Sequence, residues 1–175
     1  MCRTLRSGYN GHVYGDYDMI KKTRQIVKIL IKKKLSLSLA ESCTGGLLSS
    51  LITQVSGSSK ILRFGLVTYS NHSKIKLLKV PKKIIKNFGA VSEQTCRYML
   101  VGLSNILPTN LSVSITGIAG PRGGSKKKPV GLVYIGIKNK NKFIIRKFIF
   151  KNKNRKQIQN ATTREAFKML TLLIK

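Results

Sequence analysis

The chain has 175 residues, 42% of them apolar, which suits one domain with a real core and is too short for two ordinary ones. Lys and Arg total 34 against 5 Asp and Glu, a formal net charge of +29. The few acids exclude a paired-carboxylate glycosidase or a two-metal phosphatase, and no apolar run nears the ~18 residues of a bilayer span.

From Met1 to Asn10 basic residues occur without a following apolar stretch, which argues against a secretory signal. Residues 1–18, rich in Gly, Tyr, Asn and Asp, read as a loose extension. Ile20, Val27, Leu30 and Ile31 then recur at helical spacing, and predict an amphipathic helix over 19–34. LSLSLA at 35–40 alternates strictly, as a strand does, and ESCTGG leads into a small-residue helix through Leu47, Leu48, Leu51 and Ile52. SGSS at 56–59 is a turn, 62–69 a second strand, and 71–78 and 81–88 two short helices. GAVS at 89–92 turns into a helix over 93–107, with Ser92 as its N-cap. A third strand, 111–116, runs into a glycine-rich loop at 117–129. Strands at 130–137 and 143–150 form a hairpin, and 154–174 is a closing helix. This order predicts one layered α/β domain over 19–175, with a mixed sheet.

The excess positive charge has two readings. One is a nucleic-acid or other polyanion partner. The other is compositional drift, since lysine far outnumbers arginine, is spread through every segment, and Trp is absent. The even spread favours drift, with nucleic-acid binding that is only non-specific. Cys2, Cys43 and Cys96 are odd in number and widely spaced, which fits a reducing cytoplasm rather than a disulfide framework. His12 and His72 match no metal-ligand spacing, and a Ser-His-Asp triad would have to draw on very few acids.

Three units carry chemistry. ESCTGG puts Ser42, Cys43 and Thr44 at a strand-to-helix junction, where free N–H groups favour an oxyanion, while Gly45 and Gly46 let a ligand approach the backbone. The same residues also read as a plain helix cap. VTYSNHSK at 67–74 offers Tyr69, Asn71 and Lys74 at a strand end. Lysine becomes a base only if burial or neighbouring charge lowers its pKa; otherwise it is a surface cation. ITGIAGPRGG at 115–124 brings Thr116, Gly117, Gly120, Gly123 and Gly124 into a loop able to cradle a phosphate or simply to join two strands, and it matches neither a Walker A loop nor GxGxxG.

In this order, AESCTGG (40–46), SGSS (56–59), G.VTYSN..K (65–74), GAVSE (89–93), ITGIAGP.GG (115–124) and KPVG (128–131) resemble the C-terminal domain of the competence/damage-inducible protein CinA. The stand-alone form of that domain is the nicotinamide-nucleotide amidase PncC. The resemblance covers residues 20–175 and leaves no room for a second domain. It implies an α/β/α sandwich, commonly dimeric, that hydrolyses the carboxamide of nicotinamide mononucleotide without metal or organic cofactor. It places the serine nucleophile on Ser42, the tyrosine and lysine on Tyr69 and Lys74, a threonine on Thr116 and a helix-start arginine on Arg155. The chain departs from the family at Gln159, where a second basic residue is common, and at Arg122 and 126–128, which add positive charge. Cys43, intrinsically the stronger nucleophile, is the rival to Ser42. A non-catalytic nucleotide-binding module and a basic nucleic-acid-binding protein are the alternatives to an enzyme.

Overall fold

The computed structural model describes residues 13–174, with side chains from 18 onward. Residues 1–12 of the expected loose extension lie outside the described residues. The first helix corrects the rest of that expectation: α1 runs Val13–Lys32, beginning six residues before the expected start at 19. Its end is also earlier than expected. Lys34 adopts a left-handed φ of 52°. The Leu35 N–H reaches Leu30 O at 2.9 Å and the Lys34 N–H reaches Ile31 O at 3.0 Å. This is the paired closure that usually takes glycine.

The other elements follow in order: β1 Leu37–Glu41, α2 Leu47–Thr53, a 3₁₀ turn Ser58–Lys60, β2 Leu62–Val67, α3 Asn71–Leu78, α4 Lys82–Phe88 and α5 Glu93–Ile106. Then come β3 Leu111–Gly117, β4 Leu132–Asn139, β5 Lys142–Ile149 and α6 Arg155–Ile174. The strands form one sheet in the order β2-β1-β3-β4-β5. β1 is parallel to both β2 and β3, while β4 and β5 are antiparallel additions. Helices cover both faces, giving the expected three-layer α/β/α sandwich.

Side-chain alternation sorts the strands between two cores. Leu37, Leu39, Val113, Ile115, Val133, Ile135 and Ile137 point toward α1, α2 and α6, into the larger core with Val27, Leu30, Ile158, Phe167 and Leu170. Each such large side chain, fully buried, stabilises the fold by about 1.5–3 kcal/mol. The opposite face of β1 and β3 carries Ser38, Ser112 and Ser114, all buried. Their small size brings α5 close to the sheet. The Ser114 hydroxyl donates to Cys96 O at 2.8 Å, and a Cβ at Gly136 would stand 2.9 Å from Cys96 Sγ. A smaller cluster of Ala40, Leu78, Val80, Met99 and Leu103 fills the α3–α5 side.

The parallel strands β1, β2 and β3 end along one rim, where their following loops gather. In an open α/β sheet this carboxyl end is where ligands bind. ESCTGG, VTYSNHSK and the glycine-rich loop all begin there.

Candidate active site

Ser42 follows the last residue of β1, and Lys74 lies one turn into α3. Ser70 caps α3: its hydroxyl accepts from Ser73 N while the Ser73 hydroxyl serves the Ser70 N–H. That box sets the helix so that Lys74 runs inward under the rim. Its side chain is 1% exposed. Lys74 Nζ is 2.9 Å from Ser42 Oγ, 2.6 Å from Thr68 O and 3.4 Å from Tyr69 O. Among the described residues no carboxylate is a hydrogen-bond partner of it.

Burial pulls the Lys74 ammonium down to about 8, with the Cys43 thiol acting weakly the other way. Neighbouring positive charge, the other route to a lower value, is not a cause here. The Arg155 guanidinium donates to Tyr69 Oη and to Gly120 O, each at 2.8 Å. Lys74 has three hydrogen-bond acceptors around its amine. The ammonium donates to all three; on losing one proton it keeps two N–H groups for the carbonyls and turns its lone pair to the serine hydroxyl.

Cys43 points the other way. It is 4% exposed and belongs to the larger core, and a Cβ on Gly117 would stand 3.0 Å from its sulfur. Burial pushes its thiol up to about 12, so little thiolate exists at neutral pH.

The junction differs from the sequence expectation in one respect. Helix α2 starts at Leu47, so Ser42, Cys43 and Thr44 sit in a turn before it. The helix-start N–H groups are not open to a ligand. Glu41, 1% exposed, accepts from the N–H groups of Gly46 (3.2 Å), Leu48 (3.1 Å) and Ser49 (2.8 Å), and from the Ser49 hydroxyl (2.6 Å). The Gly45 N–H closes onto Ser42 O at 3.1 Å. Gly45 and Gly46 therefore contribute shape rather than donors: both have positive φ, and a Cβ on Gly45 would meet nothing within 4 Å. The N–H groups of Cys43 and Thr44 have no acceptor among the described residues, and Thr44 Oγ1 is buried without a partner. Glu41 was not among the expected site residues; an acid at a strand end before a glycine-rich turn is the available signal.

The remaining candidates separate. Tyr69 is 59% exposed at the rim, where its hydroxyl meets Arg155 at the start of α6. Gly120, Gly123 and Gly124 lie in the loop after β3; Gly120 takes a φ of 74° and presents the carbonyl that Arg155 holds. Thr116 is turned toward the 89–92 turn, donating to Ala90 O at 2.7 Å. Asn71 is exposed at the first turn of α3 and its side chain hydrogen-bonds neither Ser42 nor Lys74. Gln159, one turn after Arg155, donates to Cys43 O at 2.9 Å.

A cleft of ≈ 700 Å³ opens between the 44–47 turn and the start of α6, lined by Thr44, Gly45, Arg155, Lys156, Gln159 and Asn160 among others. A second cleft of ≈ 740 Å³ lies between α1 and the later part of α6, around Met19, Ile26, Ile29, Phe167 and Leu172. It is apolar and distant in sequence from the motifs, whereas the first borders the turn that follows Ser42, with Ser42 and Lys74 themselves outside its lining. Among the described residues no group of three or more His, Cys, Asp or Glu side chains gathers to hold a metal ion. Nor is any described helix long and apolar enough to cross a membrane.

Fold and site together define an α/β/α sandwich with a buried serine–lysine pair at the carboxyl end of its parallel strands. The family model of the CinA C-terminal domain matches residues 20–174, and the chain belongs to that family. It is 42% identical over 172 residues to a CinA-like protein of Prochlorococcus marinus (strain MIT 9515), covering 97% of this chain and 40% of that protein. A CinA-like protein of Endomicrobium trichonymphae is 46% identical over 143 residues, covering 82% of this chain and 33% of the relative. The chain thus spans well under half the length of these curated relatives. Among solved structures, the competence/damage inducible protein CihA from Agrobacterium tumefaciens superposes with a TM-score of 0.87 at 38% identity, covering 97% of this chain and 99% of that one. A CinA superfamily protein from Escherichia coli gives 0.85 at 28% identity, with 94% of each chain covered.

Proposed function

We propose that this chain hydrolyses the carboxamide of nicotinamide mononucleotide, giving nicotinate mononucleotide and ammonia. The observation that carries the reading is the buried Lys74 amine 2.9 Å from Ser42 Oγ, with two carbonyls as its other partners. Amide hydrolysis needs a nucleophile, a base that later protonates the leaving nitrogen, and donors for the developing oxyanion.

In the forward step Ser42 Oγ attacks the carboxamide carbon while its proton passes to Lys74. The tetrahedral adduct collapses, the C–N bond breaks, and Lys74 gives its proton to the departing amine, which leaves as ammonia. Water, deprotonated by Lys74, then attacks the serine ester. The ester bond breaks, Ser42 regains a proton and nicotinate mononucleotide is released. Neither histidine nor metal enters any step. Arg155 and Lys156 at the cleft supply cations for a phosphorylated substrate, and Tyr69 closes the rim through Arg155.

The reading extends to a cytoplasmic homodimer acting on a small molecule, with no membrane partner and no specific nucleic-acid partner. The test is ammonia release from the mononucleotide at catalytic enzyme concentrations. Turnover in the natural chain and its loss in Ser42→Ala, with the thermal transition retained, is the expected result. No ammonia from the natural chain sinks the reading and favours a binding module.

A further inference from the structure

We propose that Gln159 is a positioning residue for this site, holding the Cys43–Thr44 peptide so that the Thr44 N–H serves as an oxyanion donor. The inference rests on Ser42 being the nucleophile. Gln159 Nε2 donates to Cys43 O at 2.9 Å, across 116 residues of chain. The Cys43 carbonyl and the Thr44 N–H belong to one planar trans peptide and point in opposite directions. Fixing one therefore fixes the other.

Three observations give that fixed N–H a task. It has no acceptor among the described residues, whereas the N–H groups of Gly45, Gly46 and Leu47 are all engaged within the turn. The Thr44 hydroxyl is also buried without a partner, so two donors of one residue are uncommitted two positions after Ser42. Thr44 and Gln159 both line the ≈ 700 Å³ cleft beside the turn that follows Ser42. A buried polar group left unpaired is costly, and an oxyanion would satisfy both donors. Glu41 holds the downstream half of the turn through three N–H groups, and Gln159 holds its upstream half. The donor is thus aligned before substrate arrives.

The test uses the full chain and a fluorophosphonate, which phosphonylates an activated serine as the P–O bond forms, fluoride leaves and the proton passes to the base. Its phosphoryl oxygen occupies the oxyanion position. Gln159→Leu, close in size and without a donor, should lower the rate of Ser42 labelling by roughly tenfold or more, a barrier change of about 1.4 kcal/mol. The thermal transition should change little. The ¹⁵N resonance of Thr44, sensitive to hydrogen bonding at the preceding carbonyl, should move. Gln159→Arg, which restores a donor, should recover most of the labelling. Unchanged labelling with a moved Thr44 resonance overturns the proposal. So does a parallel fall in labelling and thermal stability, which marks a packing role. A natural chain labelled at Ser42 that releases no ammonia loses only its assigned substrate and leaves this inference standing. A natural chain that is not labelled overturns both.

Discussion

Lys74 Nζ stands 2.9 Å from Ser42 Oγ, although 32 residues separate the two in sequence. β1 and β2 run parallel, so the segments that follow them, one bearing Ser42 and the other leading into α3, leave the sheet at the same edge. With its pKa pulled down to about 8, roughly one Lys74 in ten is neutral at pH 7. The acid limb of kcat/KM against pH should therefore bend near 8. Lys74→Arg keeps a cation that cannot release its proton near neutrality, so it should lose activity as fully as Lys74→Ala. Turnover by Lys74→Arg at the natural rate would make the residue a substrate-binding cation.

The adjacent thiol should be dispensable. Cys43 lies in the core with its thiol raised to about 12, so Cys43→Ala should retain turnover within about tenfold and lose ~1–2 kcal/mol of stability by leaving a small cavity. Abolished ammonia release in a folded Cys43→Ala, beside an active Ser42→Ala, would move the nucleophile to sulfur.

Burial of Lys74 also has a thermodynamic consequence with a definite sign. Its pKa falls from 10.5 to about 8 in the folded chain, so between those values the unfolded chain binds more protons. Stability then rises with pH across that window, and the full penalty of the buried ammonium applies below it. Other lysines titrate in the same range, so the quantity to measure is the difference between the natural chain and Lys74→Met. From pH 7.5 to 10.5 in urea unfolding, the natural chain should gain on the variant by on the order of 2 kcal/mol. A flat difference would place the amine in contact with water.

The charge of +29 should yield little specific affinity. Binding to duplex DNA should be weak, blind to sequence and lost near physiological salt. Sub-micromolar, sequence-selective binding at that salt would restore the nucleic-acid reading.

Much of the fold was legible because alternation and turn residues marked each strand and loop. The places where it was not legible have physical causes. Lys34 closes α1 in a conformation that glycine adopts far more easily, so nothing in the sequence flagged the end of the helix. Glycine there removes the steric cost: Lys34→Gly should raise stability by about 0.5–1 kcal/mol, read as a higher urea midpoint, and a fall would show that the lysine contributes contacts that outweigh its strain. Alternation marks the serines of β1 as one face of a strand without saying what covers it; α5 buries them with those of β3, and that depends on a helix more than fifty residues away from β1. At the site, the motifs singled out Ser42 and Lys74, but not the direction of Cys43 or the use of Glu41. Both depend on how the turn folds back on α2, which spacing along the chain does not encode.

The Arg155 bridge to Tyr69 and Gly120, with the reach of Gln159 to Cys43, ties the rim to the last helix described. During synthesis the serine and lysine leave the ribosome long before α6. A nascent chain that has extended only through β5 holds both members of the pair, yet has neither the wall of the cleft nor a cover for the core that Ile158, Phe167 and Leu170 fill. Completion of the site thus coincides with completion of the fold, and a chain cut short before Arg155 is left without both at once.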